Sequence, residues 1–171
     1  MPQPSTTMTP AEPMPASEAR SELLVSIARW REELTHIDLT RSTLGFGIAA
    51  RSVTLVGLLL RLTVRDLLPE AALGDRPTLG QRISALERYG PRHRTTCSEP
   101  DRKLVGKTDL ELLRKLSRMR SFVAHQEDHT VAADVGRLAP GAVTEFLDVV
   151  EAVARLPVFE ELVCAERAAL G

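Results

Sequence analysis

The chain has 171 residues, a length that suits one domain with a tail. Hydrophobic residues make up 43% of it and aromatic residues only 4%, so Leu, Val and Ala dominate, which favours helix-on-helix packing over a sheet core. The net charge of −1 excludes a protein that attracts nucleic acid by its overall charge. Any RNA affinity therefore requires a local basic patch.

The two cysteines, Cys97 and Cys164, are too few for a disulfide framework or a zinc site. Such a count is typical of a reducing cytosol. The first positive side chain is Arg20, and no basic region followed by an apolar one precedes it, so a secretory signal is not expected. These features predict a cytoplasmic protein.

The first 16 residues are predicted to form a disordered tail, because they contain five prolines and little to bury. Residues 17–171 are expected to form a single helical domain. Its first helix begins near Ser17, and Trp30 in that helix is interpreted as a core anchor. His36 and Asp38 lie at the far end, where they either support an active site or form an ordinary solvated helix end. Apolar residues recur in this helix at steps of three and four and form one narrow face: Leu23, Ile27, Trp30, Leu34 and Ile37.

The second helix, at residues 42–68, is the most apolar part of the chain. A membrane span is not expected, because Arg51 lies mid-way along it, where insertion costs roughly 2.5–3.5 kcal/mol. Arg61 and Arg65 fall in line with Arg51 on one stripe about 80° wide. Arg51 is expected to pair with a carboxylate inside the bundle, since an unpaired buried charge is costly. The alternative is that the stripe faces a subunit partner or RNA phosphate, and the roles of Arg61 and Arg65 stay open.

Pro77-Thr78 is predicted to start a short helix that Gly90-Pro91 closes. The polar residues 91–103 then read as a loop, where the cluster of Arg92, His93 and Arg94 is interpreted as solvated rather than phosphate-binding.

A last long helix is expected from Pro140, with Pro157 kinking or dividing it. Its predicted core face is Val143, Phe146, Leu147, Val150, Val153 and Ala154, continued by Phe159, Leu162, Val163 and Leu170. Together the patterns predict an all-α, four-to-five-helix up-down bundle.

The third long helix, at residues 108–126, carries the candidate chemistry. Thr108-x-x-Glu111 is the reciprocal capping pattern of a helix start. Glu127-Asp128-His129 and Gly136 are expected to mark the connection that follows. The apolar side of the helix consists of Leu112, Leu113, Leu116, Met119 and Val123, and a basic series runs against it: Arg114, Lys115, Arg118 and Arg120, followed by His125.

The stretch Arg120-Ser-Phe-Val-Ala-His125 resembles the R-x4–6-H motif of the HEPN superfamily, small helical domains that include many prokaryotic ribonucleases and toxins. Ser121 and Ala124 match the usual polar residue after the arginine and small residue before the histidine. The resemblance implies a metal-independent endoribonuclease that leaves 2′,3′-cyclic phosphate ends, with Arg120 and His125 as the catalytic couple and Ser121 accessory. It also implies an RNA partner, a homodimer in which two motifs meet, no cofactor, and the role of a toxin or antiphage effector with an antitoxin or regulatory protein.

The residue types suit that chemistry. Histidine has an intrinsic pKa near 6.5 and accepts a proton at neutral pH, and a guanidinium holds two phosphoryl oxygens at once. Five residues along a helix rotate by about 140°, so Arg120 and His125 do not share a face unless the long arginine or a frayed last turn brings them together. Arg118 lies within about 20° of His125 and is the alternate, as R-x6-H. Arg120 is preferred because Ser121 follows it.

Other interpretations of His125 stay open. HEPN toxins that a nucleotidyltransferase modifies carry a tyrosine two residues after the histidine, but Glu127 stands there, so tyrosine modification is not expected. The acidic pair Glu127-Asp128 would also repel phosphate. His125 and His129 together suit a metal ion poorly, because Gln126 replaces the glutamate of the zinc-protease pattern, and His125 alone could cap free helix carbonyls. The competing function is a catalytically inactive HEPN-like module that binds a protein partner through helix two or the C-terminal segment.

Overall fold

The computed structural model describes residues 14–36, 44–128 and 140–171, with side chains throughout except at positions 44–46, 120–128, 140 and 142. These residues form an all-α bundle, which confirms the predicted fold class. No strand occurs among them apart from one isolated bridge between Arg94 and Lys103. The described helices are α1 (Ala16–Leu34), α2 (Leu44–Leu67), α3 (Leu79–Tyr89), α4 (Lys107–Asp128), α5 (Pro140–Ala154) and α6 (Pro157–Leu170), with short 3-10 turns at Pro69–Ala71 and Gly90–Arg92.

Helix α2 is the centre of the bundle and packs against all five other helices. Its buried polar side chains are satisfied within the helix, since Ser52 Oγ donates to the Ile48 carbonyl and Thr63 Oγ1 to the Leu59 carbonyl, both at 2.8 Å. By length and composition alone, Gly47–Leu67 is long and apolar enough to cross a membrane. However, 56% of its most apolar window is buried inside the protein, as in a core helix.

The predicted polar stripe of α2 faces solvent, with Arg51, Arg61 and Arg65 all exposed. Arg51 pairs with Glu22 of α1, so the expected carboxylate partner is present. The pair lies at the surface rather than inside the bundle, because the whole stripe is turned to water, where both charges keep much of their hydration. Arg65 pairs with the neighbouring Asp66.

Helix α1 closes the bundle against the last helix. Trp30 is only 7% exposed, which confirms its assignment as a core anchor. The cap residue Pro15 offers no side-chain hydrogen bond. Instead, the Glu166 carboxylate of α6 accepts hydrogen bonds from the amides of Ala16 (2.7 Å) and Ser17 (2.9 Å). The helix thus begins one residue before the predicted domain start, while residues 1–13 of the predicted tail lie outside the described residues.

The expected cap of α4 by Thr108 and Glu111 is wrong. The helix already begins at Lys107, because Leu104 and Val105 just before it are buried and fix where the chain turns into the helix. The Asp109 carboxylate reaches back to accept a hydrogen bond from the Gly106 amide at 2.8 Å. The carboxylate in the first turn also lies favourably at the positive end of the helix dipole.

Pro157 divides the C-terminal pattern into α5 and α6 and occupies the first position of α6. The predicted core face of α5 is buried throughout, and Phe159, Leu162 and Val163 continue it as expected. Leu170 does not, since it is 84% exposed. Residues 167–171 are all exposed, so the last turn of α6 projects beyond the core.

Candidate functional site

Helix α4 is held in the bundle by its apolar side. Leu110, Leu113 and Leu116 are buried, while Leu112 and Met119 are partly buried against the same core. The helix packs against α2, α3 and α5. This confirms the predicted apolar side through position 119, and the side chain of Val123 lies outside the described ones.

The basic series of α4 is mostly engaged within the protein. Arg114 pairs with Glu87 of α3, and Lys115 Nζ lies 2.8 Å from Glu145 Oε1 of α5. Arg118 is exposed and forms no ion pair with a described residue. Of the three described cations in this series, only Arg118 has no ion-pair partner among the described residues.

The motif itself lies on regular helix. The backbone of α4 is helical through Asp128, so Glu127 and Asp128 belong to the last turn rather than to the predicted connection. Positions 120 and 125 are therefore about 140° and 7.5 Å apart along the axis, whereas positions 118 and 125 are about 20° and 10.5 Å apart. The side chains of Arg120, Ser121 and His125 lie outside the described ones, as do residues His129 and Gly136.

The other sequence candidates fall elsewhere. His36 is exposed in the turn after α1, and Asp38 lies outside the described residues. In the loop after α3, the Arg92 guanidinium lies 5.9 Å from the centre of the Tyr89 ring. His93 pairs with Glu70. Two residues of the cluster predicted to be solvated, Arg92 and His93, therefore contact other side chains of the protein.

A buried carboxylate that the sequence pattern does not single out organises this loop. Glu161 of α6 is 4% exposed. It accepts hydrogen bonds from the amides of Thr96 (2.8 Å), Cys97 (3.1 Å) and Ser98 (2.9 Å). The hydroxyls of Thr96 and Ser98 donate to it as well. Burial by itself would raise the pKa of Glu161, but these hydrogen bonds outweigh it and lower the pKa to about 2.

The same loop is bonded covalently to α6. Cys97 and Cys164 form a disulfide with their Cα atoms 5.8 Å apart, although the cysteine count is typical of a reducing compartment. The two cysteines are 67 residues apart, and this separation alone does not show that they pair. The spacing Glu161-x-x-Cys164 places both side chains one turn apart on α6, but it does not identify the loop that they contact.

Metal ligands are not clustered in the part of the chain that the structure describes. No group of three or more His, Cys, Asp or Glu side chains with a metal-binding arrangement occurs there. The alternative of a metal held by His125 and His129 concerns side chains outside this part and stays a prediction.

No protein-family model matches the chain, and no curated protein or solved structure is significantly similar to it.

Proposed function

We propose that the protein is a metal-independent endoribonuclease whose catalytic residues lie on the C-terminal half of α4. Arg120 and His125 are the proposed couple, with Arg118 as the alternate guanidinium and Ser121 accessory. The observation that supports this proposal is that α4 is one continuous helix through the motif. It also presents Arg118 to solvent without a carboxylate partner among the described residues.

In the proposed reaction, the His125 imidazole accepts the proton of a ribose 2′-hydroxyl. The 2′-oxygen then attacks the adjacent phosphorus, and the bond from phosphorus to the 5′-oxygen breaks. The 5′-oxygen takes up a proton, and the other product carries a 2′,3′-cyclic phosphate. An arginine guanidinium holds the non-bridging oxygens and stabilises their charge in the transition state.

A second copy of the chain is part of this proposal. Positions 120 and 125 point about 140° apart on an unbroken helix, so one subunit presents an incomplete couple to a phosphate. A homodimer in which two α4 helices meet would place an arginine of one subunit beside the histidine of the other. The proposed setting is the cytoplasm, although disulfides such as Cys97–Cys164 are rare in a reducing compartment. An antitoxin or regulatory protein would there restrain a toxin or antiphage effector.

Cleavage of single-stranded RNA in the presence of a chelator tests the proposal. We expect wild type to cleave and His125→Ala to be inactive, while Arg120→Ala and Arg118→Ala identify the guanidinium that acts. His93→Ala is the matched control, because the His93 imidazole pairs with Glu70 and belongs to the loop before α4, not to the motif. Equal cleavage by wild type and His125→Ala would overturn the assignment.

The second candidate function is a catalytically inactive HEPN-like module that binds a protein partner. It is favoured by the last turn of α4, where Glu127 and Asp128 put two acids beside the proposed base. Carboxylates at a helix C-terminus add negative charge to the negative end of the helix dipole. They would therefore repel a phosphate bound there. RNA that stays intact with both wild type and His125→Ala would favour this candidate.

A further inference from the structure

Two open cavities meet between α2 and the start of α3. Their volumes are about 490 and 410 Å³, and both are lined by Arg61, Pro77 and Arg82. The larger cavity also has an apolar wall, to which Val64, Leu68 and Leu73 contribute. The arrangement is one groove of ligand-binding size with two guanidiniums at its middle.

Neither guanidinium is paired with a carboxylate of the described residues. Arg82 Nη1 donates to the Gly57 carbonyl at 3.0 Å, while its buried Nε has no hydrogen-bond partner among the described residues. Arg61 is exposed and forms no ion pair with any of them. Burial lowers the pKa of Arg82, and the positive charge of Arg61 lowers it further.

The remaining charges at the groove leave it basic. Arg65 lines the larger cavity but is paired with Asp66, whose Oδ2 accepts a hydrogen bond from Nη2 at 2.7 Å. Asp75 is the one acid that lines the larger cavity. No other described acid lines either cavity, so nothing in the groove offsets both Arg61 and Arg82.

We propose that this groove binds a small organic phosphomonoester, with its phosphoryl oxygens between Arg61 and Arg82 and its organic body against the apolar wall. Two guanidiniums suit a dianion, because each can hold two phosphoryl oxygens by charge-assisted hydrogen bonds. The ligand would replace like-charge repulsion by two attractive contacts. The inference concerns α2 and α3 and does not rest on the proposed function of α4.

Phenyl phosphate is a suitable probe, with inorganic phosphate and phenol as its two halves, and calorimetric titration of the full chain measures each. We expect phenyl phosphate to bind more tightly than inorganic phosphate and to be displaced by it, and phenol not to bind. Arg61→Ala should weaken binding of phenyl phosphate by about ten- to a hundredfold, the range for loss of a charge-assisted contact. Arg51→Ala, the same charge change on the same stripe of α2, should leave it unchanged.

The variants are chosen so that the fold survives. Arg82 binds the Gly57 carbonyl, so its truncation risks misfolding, whereas Arg61 is exposed. Arg61→Glu places a carboxylate opposite Arg82 and should abolish phosphate binding while the protein stays folded by circular dichroism. Binding that is unchanged in Arg61→Ala and Arg61→Glu would overturn the proposal, as would the absence of binding by phenyl phosphate at millimolar concentration.

Discussion

Glu161 and Cys164 lie one turn apart on α6 and hold the same loop by two different kinds of bond. Glu161 accepts hydrogen bonds from three consecutive amides, and Cys164 forms a disulfide with Cys97, the middle residue of those three. Because the loop lies between α3 and α4, this attachment fixes the start of α4 relative to α6. The N-terminal end of the helix that carries the candidate residues is thus positioned partly by contacts with another helix.

Glu161→Gln is expected to lower the free energy of unfolding by about 2–4 kcal/mol at pH 7. An amide has one acceptor oxygen where the carboxylate has two, and its NH2 group would face the amide donors of the loop. Denaturant unfolding measures the loss. Glu160→Gln is the control, because Glu160 is half exposed and pairs with Arg20 at the surface, where an ion pair contributes less than about 1 kcal/mol. Equal losses in the two variants would contradict the role of Glu161.

The same carboxylate predicts an acid dependence of stability. The pKa of Glu161 is lowered from 4.5 to about 2 in the folded protein, so the unfolded chain binds the proton more readily. Its contribution, about 3 kcal/mol, is present above pH 4.5 and is lost as the pH falls towards 2. The difference in unfolding free energy between wild type and Glu161→Gln should therefore shrink over this range. A difference that does not change with pH would exclude the lowered pKa.

The disulfide is expected to stabilise the fold mainly by restricting the unfolded chain. It closes a loop of 67 residues, for which loop-closure entropy suggests about 4 kcal/mol. Non-reducing mass spectrometry should find the bond. The double variant Cys97→Ser/Cys164→Ser should unfold at lower temperature than oxidised wild type and as early as reduced wild type. Identical melting of oxidised and reduced wild type would show that the bond contributes nothing.

Two glycines at opposite ends of α3 should respond oppositely to alanine. A Cβ at Gly90 would lie 2.7 Å from Val105 Cγ2, so Gly90→Ala should cost about 1–3 kcal/mol through overpacking. At Gly80 the nearest atom, Thr78 Oγ1, lies 3.9 Å away. Gly80→Ala should therefore be neutral or stabilising by up to about 1 kcal/mol, as expected for alanine in a helix. Thermal unfolding of both variants tests this, and equal shifts of the melting temperature for Gly90→Ala and Gly80→Ala would contradict the prediction.

Periodicity predicts much of this fold because burial follows helix geometry. The core face of α5 and the alignment of the arginines on one stripe of α2 follow from three- and four-residue steps alone. Those steps do not show that the stripe faces solvent, and the expected burial of Arg51 inside the bundle is wrong. Leu170 fits the same pattern but is exposed, since periodicity shows which face is apolar and not where the core ends. The capping pattern at Thr108 does not mark the start of α4, because the buried Leu104 and Val105 place that start at Lys107 and their burial is a tertiary property.

The site was less predictable, because its partners come from distant parts of the sequence. Spacing places Arg118, Arg120 and His125 along one helix, but it does not show that Glu87 and Glu145 neutralise Arg114 and Lys115. The pairing of Cys97 with Cys164 and the convergence of Arg61 with Arg82 also depend on packing between helices. Local pattern therefore identifies candidate residues, whereas tertiary contacts determine which of them are available to a ligand.

The chemistry proposed for α4 is tested most directly with a single-stranded RNA of mixed sequence and the same RNA bearing 2′-O-methyl groups, each incubated with the protein in chelator. The reaction requires a free 2′-hydroxyl and the His125 imidazole. We predict that wild type cleaves only the unmodified RNA and leaves 2′,3′-cyclic phosphate ends, and that His125→Ala cleaves neither. Cleavage of the methylated RNA, products with 3′-hydroxyl ends, or intact RNA with wild type would contradict the proposal.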